Sequence, residues 1–325
     1  MPINIVLLGA GFSRNWGGWL ASEVRNRIGL RLEDNPQLSA RLNGYNDFED
    51  ALQALQNEFA RSPNASSVAP RLQAFQRAIA ETFDVMNEAM ARCQFEFCND
   101  MKYSVASYLT KFDAIFTLNQ DLLLERHYLT SHMILSPNAK VSGGEIPGMH
   151  PELSQHYHGE DQPLYTRWRQ NEPFVCSAGF QPYFKLHGST NWFSPSGEQL
   201  MVMGGDKSTT ITRHPVLAWY AEKFEEYLSA HGARLTVIGY GFRDRHINDT
   251  ICYAWKKSRF PMMIVGPDGR KILKKVNPSY GGAIPGPPDP LEGITSFDST
   301  RPLSSTFGGN DPAEHDNLIE FLKLR

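Results

Sequence analysis

The amino-terminal segment constrains the fold more than any other part of the chain. The run Ile3–Leu8 is apolar and is followed at once by Gly9, Ala10 and Gly11. A short apolar run that ends in a glycine turn predicts a buried strand of a parallel sheet, with the turn facing a ligand. The two glycines let main-chain amides approach a diphosphate closely. Arg14 replaces the third glycine of the usual dinucleotide fingerprint, so a tight strand-to-helix turn without a ligand stays open as an alternative.

Four further apolar runs predict buried strands, and helical patterns separate several of them. The runs cover residues 112–118, 183–186, 235–238 and 262–265. Strands that alternate with helices indicate an α/β fold with a doubly wound parallel sheet. We predict one domain over 1–270, with a helical insertion at about 31–111 and an irregular insertion at about 137–181. A Pro/Gly-rich arm and a terminal helix are predicted over 271–325.

Composition narrows the classes of function. The 325 residues carry 32 Lys and Arg against 35 Asp and Glu, a formal net charge of −3, so no global field attracts nucleic acid. The four cysteines form no Cys-x-x-Cys pair, which predicts neither a disulfide framework nor a zinc site. No apolar stretch approaches the roughly 18 residues that cross a bilayer. We expect a cytoplasmic protein with reduced thiols, no metal, no membrane association and no direct binding of nucleic acid.

Polar residues follow two of the predicted strands, at the edge where open α/β sheets bind ligands. Asn119 and Asp121 come after the run 112–118 at alternate positions, so both side chains can reach the same side of the turn. His187 directly follows 183–186, and imidazole titrates near neutrality, which suits a general base. Each has a purely structural alternative. Asn119 and Asp121 are also typical of Asx-turn caps, and His187 is also typical of a packed, hydrogen-bonded histidine.

Taken in chain order, the segments at the strand ends resemble the sirtuin NAD-binding domain. They are Gly-Ala-Gly-Phe-Ser at 9–13, Thr-x-Asn-x-Asp at 117–121, Leu-His-Gly at 186–188 and Val-Ile-Gly-Tyr-Gly-Phe at 237–242. The longer run Gly-Tyr-Gly-Phe-Arg-Asp-x-His-Ile-Asn at 239–248 is similar to that of bacterial sirtuin-like proteins of anti-phage defence. The resemblance covers residues 3–20, 112–125, 182–192 and 235–268. It implies a Rossmann-like NAD-binding domain.

The resemblance also implies NAD as the substrate and assigns site residues. In that family the first glycine turn wraps the NAD diphosphate, an asparagine and a histidine flank the nicotinamide ribose, and an aspartate lies near the nicotinamide. The later glycine turn contacts diphosphate and ribose, and an acidic residue often lies near the adenosine ribose. The matching catalytic positions are Asn119, His187 and Asp121, and the matching NAD-binding positions are Gly9, Ala10, Gly11, Phe12, Ser13, Gly239, Tyr240, Gly241 and Asp268.

One departure from the family separates two activities. Protein-deacylating sirtuins carry a zinc module built on two Cys-x-x-Cys pairs, but no cysteine lies between His187 and Gly239. The resemblance therefore implies an NAD hydrolase that depletes NAD in anti-phage defence, rather than an NAD-dependent protein deacylase. A non-catalytic module that binds NAD or ADP-ribose is a third alternative. The family also implies a homo-oligomer and a HerA-type hexameric ATPase as partner.

Overall fold

The computed structural model describes most of the chain. It covers residues 3–62, 67–129, 133–135, 140–142, 145–152, 166–204, 206–275, 291 and 294–323. Residues 153–165 of the predicted irregular insertion and 276–290 of the predicted arm lie outside the described residues.

Strands and helices alternate in only part of the chain, because the described residues of 10–109 form helices with no strand between them and those of 133–201 form strands with no helix between them. The strands are β1 (Ile3–Leu8), β2 (Ala114–Thr117), β3 (Met133–Leu135), β4 (Lys140–Ser142), β5 (Met149–Glu152), β6 (Arg167–Gln170), β7 (Tyr183–Lys185), β8 (Gly188–Phe193), β9 (Gln199–Met201), β10 (Ala233–Ile238), β11 (Met262–Val265) and β12 (Ser296–Ser299). The helices are α1 (Ala10–Ser13), α2 (Ala21–Arg31), α3 (Pro36–Asn43), α4 (Phe48–Arg61), α5 (Val68–Ala91), α6 (Val105–Leu109), α7 (Leu123–His127), α8 (Lys207–Arg213), α9 (Pro215–Ser229), α10 (Arg245–Ser258), α11 (Lys271–Lys275), α12 (Leu303–Thr306) and α13 (Pro312–Phe321).

Six parallel strands form the central sheet, in the spatial order β12-β11-β10-β1-β2-β7. Numbered by their order along the chain, these strands lie as 6-5-4-1-2-3, which is the Rossmann arrangement. The doubly wound α/β fold predicted from the sequence is confirmed. β1 pairs with β2 on one side and with β10 on the other, so the strand order reverses between β1 and β10. In such sheets, ligands bind beyond the carboxyl ends of the strands at this reversal.

The predicted helical insertion packs on the same core as the sheet. The apolar residues of α4 and α5 recur at helical spacing, so each helix buries one face. Leu52, Leu55, Phe75 and Ile79 belong to the same buried cluster as the side chains of β1. The α4 helix begins at Phe48, after Asp47, whose side chain accepts a hydrogen bond from the Glu49 amide. This cap fixes the start of α4, which becomes important at the candidate site.

Two predictions about the remaining segments need correction. The segment predicted to be irregular contains β4, which pairs with β3, and also β5 and β6, which join β8 and β9 in a sheet of four strands. The predicted domain limit at residue 270 is also too early, because β12 completes the central sheet from within the predicted arm. β5, β6 and β12 are short and polar, and only part of each is buried. They lack the apolar runs by which buried strands are recognised.

Among the described residues, none of the helices combines the length and the apolar character that crossing a membrane requires.

Candidate functional site

A cavity of about 1470 Å³ lies at the carboxyl ends of the central strands. Of the residues expected in the site, it is lined by Gly9, Ala10, Gly11, Asn119, Asp121, His187, Gly239, Tyr240, Gly241 and Asp268. Phe12 and Ser13 lie beneath the lining: both are buried, and the Phe12 ring packs against Trp16 with centroids 4.9 Å apart. Four inter-strand spacings of about 4.8 Å separate β7 from β11, so the cavity extends roughly 19 Å along the sheet edge.

The two glycine turns of the cavity floor contact each other directly. The Gly11 amide donates a hydrogen bond to the Gly239 carbonyl at 2.8 Å. A Cβ atom on Gly239 would lie 2.2 Å from the Phe12 nitrogen, and one on Gly9 would lie 2.6 Å from the Tyr240 Cα. Gly239 also has a φ of 65°, which side chains disfavour. Glycine is therefore required here by contact between the turns, whether or not a diphosphate binds.

Asn119 links the end of β2 to the first glycine turn. Its Nδ2 group donates to the Gly9 carbonyl at 3.0 Å and to the Ser13 hydroxyl at 2.9 Å, and its main-chain amide donates to Thr117 Oγ1 at 3.0 Å. No donor from the described part of the chain reaches Asn119 Oδ1. That oxygen is the atom left for a ligand or a water molecule, and Asn119 both braces the turn and lines the cavity.

Asp121 makes the kind of turn-capping hydrogen bond that its sequence position also allowed. Its Oδ1 atom accepts a hydrogen bond from the Leu123 amide at 3.1 Å, at the start of α7. Its main-chain carbonyl accepts from Lys185 Nζ, which also forms a buried ion pair with Glu125 at 2.6 Å. Burial raises the Glu125 pKa even though Lys185 opposes that shift. This buried pair ties β7 to α7 below the cavity and holds the Asp121 turn in place.

His187 is a neutral base at the end of β7. Its side chain is only 3% exposed. Burial lowers its pKa from 6.5 to about 3; the Asp244 carboxylate opposes this shift, whereas Lys207 and His246 add to it. Its Nε2 atom lies 3.0 Å from Nε2 of His246. Two neutral imidazoles at this distance share one proton, so one ring donates and the other accepts.

Lys207, Glu49 and Asp244 form a charged network that lines one wall of the cavity. Lys207 Nζ, at the start of α8, lies 2.9 Å from a Glu49 carboxylate oxygen and 2.7 Å from Asp244 Oδ1. Burial opposes ionisation of Lys207, but the two carboxylates raise its pKa. Burial also opposes ionisation of Asp244, but His187 and Lys207 lower its pKa below the usual value. For Glu49, burial outweighs Lys207 and the pKa is raised. The network joins the helical insertion to the site.

The turn after β10 is held by its own polar residues. The Tyr240 hydroxyl donates to Asn248 Oδ1 at 3.2 Å and accepts from the Asp244 amide at 3.1 Å. Asn248 Nδ2 donates to the Phe242 carbonyl at 2.7 Å, and Phe242 has a positive φ of 51°. These bonds give the side chains of Tyr240 and Asn248 a structural role in the turn. They aim Asp244 and His246 towards His187.

Potential metal-ligand atoms of His187, Asp244 and His246 all lie within 4.8 Å of one another. A divalent cation at their centre would stand beside the Lys207 ammonium group, which already occupies Asp244 Oδ1. The repulsion between the two positive charges disfavours a metal at this cluster. The absence of a metal stays a prediction.

No protein-family model matches the chain, and no curated protein matches its sequence significantly. Function is therefore argued from the chemistry of the site, because the fold alone supports many activities.

Sequence reasoning found the cavity floor but missed much of its wall. Asp244 and His246 belong to the recognised run at 239–248 without an assigned role, and the sequence patterns give Glu49 and Lys207 no role in the site. Glu49 and Lys207 are 158 positions apart and follow no shared local pattern. The Asp-x-His spacing after a glycine turn was the one available signal.

Proposed function

We propose that this protein is an NAD hydrolase, which cleaves NAD to nicotinamide and ADP-ribose. One observation carries the proposal: the four strand-end segments that resemble sirtuins line a single elongated cavity at the reversal of strand order. Its length of roughly 19 Å suits an extended dinucleotide better than a compact metabolite. The glycine turns lie near its middle, at β1 and β10. His187 and Asn119 lie towards one end and Asp268 towards the other.

The reaction needs few groups from the protein. Breaking the glycosidic bond releases neutral nicotinamide from a cationic pyridinium, so the ribose gains oxocarbenium character and the leaving group needs no acid. The site must position the ribose, stabilise positive charge and orient a water molecule. Asn119 Oδ1 is assigned to the water, the Asp121 carboxylate to the developing charge, and neutral His187 to the ribose hydroxyls and the water proton.

Purified protein incubated with NAD tests this proposal, with nicotinamide and ADP-ribose followed by chromatography. The His187→Ala variant should lose at least about 100-fold in turnover, because a positioned base contributes roughly 10²–10⁴-fold. His231→Ala is the matched control, since His231 is exposed and does not line the cavity. Equal turnover in wild type and His187→Ala contradicts the assignment. Asn119→Ala is informative only with a folding control, because Asn119 also braces the turn.

A binding module for NAD or ADP-ribose is the second candidate, and one observation favours it. Asn119 and Asp121 both make structural hydrogen bonds, so their presence does not by itself require catalysis. A rise in melting temperature with NAD or ADP-ribose, without product formation, distinguishes this candidate. Protein deacylation is tested in parallel with an acetyl-lysine peptide.

The wider role is proposed from the sequence resemblance alone. On that basis the protein depletes NAD in anti-phage defence and assembles as a homo-oligomer with a HerA-type hexameric ATPase; a cytoplasmic location is proposed separately, from the unpaired cysteines. Light scattering of the purified chain, and an NAD assay with and without such an ATPase, test the assembly. A clean monomer whose activity is unchanged by the ATPase contradicts it.

A further inference from the structure

The two histidines of the cavity wall are unequal in their surroundings. His187 is almost fully buried, whereas His246 at the start of α10 is partly exposed. Their Nε2 atoms are 3.0 Å apart, and the rings are tilted by 41° with centroids 5.1 Å apart. The Nδ1 atom of His187 bonds to none of the described residues. His187 therefore has one nitrogen held by a protein partner and the other available to the cavity.

We propose that His246 is a positioning residue for His187, which accepts the Nε2 proton of His187 and passes it to solvent. This inference rests on the proposed NAD hydrolysis. With Nε2–H of His187 donated to His246, the tautomer of His187 is fixed and Nδ1 is left as an acceptor facing the cavity. An acceptor at that position can take a proton from an attacking water, whereas the opposite tautomer could not.

The proton balance of hydrolysis calls for such a path. The bond between C1′ and the pyridinium nitrogen breaks, with its electron pair going to nicotinamide, and the water oxygen bonds to C1′. One proton of that water is released in every turnover. It is taken up at Nδ1 of His187, the Nε2 proton of His187 moves to Nε2 of His246, and the Nδ1 proton of His246 leaves to solvent. Once the product has left, His187 Nδ1 loses its proton to solvent, the shared proton returns to His187 Nε2, and His246 Nδ1 takes up a proton from solvent, which restores both starting tautomers.

The charges around the pair favour movement in this direction. Burial lowers the pKa of both rings, and Lys207 lowers both further. Asp244 opposes these shifts at both histidines, but Asp249 supports a proton only at His246. His246 is also the more exposed ring, so a positive charge is better solvated there than on His187. Glu49 acts on the pair only through Lys207, with which it forms an ion pair.

Kinetics of the full-length protein test the inference with three variants. We expect His246→Ala and His246→Gln to lower kcat at least tenfold while KM for NAD stays within about twofold. Added imidazole should restore part of the His246→Ala activity, because it can supply the missing proton carrier. His231→Ala should behave as wild type. Melting temperatures check that the variants are folded.

The glutamine variant separates proton transfer from a purely structural role. A glutamine side chain can still hydrogen-bond to His187 Nε2, but it cannot carry a proton away. Wild-type kcat in His246→Gln overturns the inference, and so does wild-type kcat in His246→Ala. A dependence of wild-type activity on added Zn²⁺ or Mn²⁺, abolished by a chelator, also overturns it in favour of a metal at this cluster.

Imidazole ¹⁵N spectra distinguish failure of this inference from failure of the proposed function. If wild type forms no ADP-ribose, NAD hydrolysis is refuted, and the histidine pair is judged by NMR alone. We expect His187 to carry its proton on Nε2 in wild type, and to lose this single tautomer in His246→Ala. A His187 signal that is unchanged in that variant overturns the pairing.

Discussion

Lys207 offers the sharpest test of how the helical insertion is joined to the site. Its ammonium group pairs with Glu49 and Asp244, and the three side chains are 16%, 26% and 17% exposed. In Lys207→Met both carboxylates lose their counter-charge in a largely buried setting. Breaking a buried ion pair by removing one partner costs about 3–5 kcal/mol, and partial solvation here favours the lower end. We expect a loss of about 3 kcal/mol.

The corresponding shift in melting temperature follows from the size of the chain. At about 2.1 cal/mol/K per residue, the 325 residues give an unfolding entropy near 0.7 kcal/mol/K, so melting should fall by about 4–5 °C. Adding Glu49→Gln should recover a good part of this loss, because a neutral amide needs no counter-charge. Lys223→Met is the control, because the pair of Lys223 with Glu226 is more exposed and should contribute less than about 1 kcal/mol.

The loss of stability in Lys207→Met should depend on pH, and the direction follows from the pKa of Glu49. Burial already raises the pKa of Glu49, and loss of Lys207 should raise it further. A carboxyl whose pKa is raised on folding stabilises the fold below its unfolded pKa, and this contribution disappears as the pH rises through the folded value. The deficit of Lys207→Met should therefore be larger at about pH 8 than at about pH 5. A melting temperature within about 1 °C of wild type at both pH values, or no recovery in the double variant, refutes the reasoning.

Three further predictions concern the floor and the ligands of the cavity. Gly239→Ala should lower the free energy of unfolding in urea by about 3 kcal/mol or more, because its Cβ would overlap the main chain of the first glycine turn at a position with positive φ. Gly241→Ala is the control and should be tolerated, since its Cβ would have no atom nearer than 3.9 Å. His187 has a pKa of about 3 in the folded protein and a higher one when unfolded, so unfolding below about pH 6.5 takes up a proton. The free energy of unfolding of wild type should therefore fall by about 2 kcal/mol between pH 6.5 and pH 5, and His187→Gln should fall less steeply. Equal pH slopes of the unfolding free energy in the two proteins contradict this. Arg243→Ala should raise KM for NAD about tenfold with kcat unchanged, because Arg243 lines the cavity and forms no ion pair among the described residues. Arg245→Ala removes an arginine that is already paired with Asp249 and should change KM less in the same assay.

The parts of the fold that were predictable are those where one physical property dominates a short segment. β1, β2 and β11 are buried along their whole length or nearly so, and their apolar runs revealed them. β12 has the sequence Ser-Phe-Asp-Ser, lies at the sheet edge and keeps two of its four side chains exposed. Its one apolar residue, Phe297, is itself 43% exposed, so no buried apolar run distinguishes this edge strand from a loop.

In the candidate site, too, some residues could be predicted from local sequence patterns and others could not. Its floor follows local strand-and-turn patterns, so Gly9, Asn119 and His187 could be found from the chain alone. The contact between Glu49 and Lys207 depends on the packing of a helical insertion against a segment far along the chain. Pairing of His187 with His246 likewise depends on where α10 begins relative to β7. Neither relation leaves a periodic trace in the sequence.

The contact between the two glycine turns bears on how this cavity could be re-engineered. Gly11 and Gly239 meet main chain to main chain, so the middle of the floor offers no side chain to exchange. Any change of ligand preference has to come from the rim, the less buried part of the lining, where Arg243, Asp268 and Arg301 present side chains from three separate segments. Libraries that vary the rim and spare both turns would alter recognition while keeping the scaffold, because the halves of the sheet stay fastened at their meeting point.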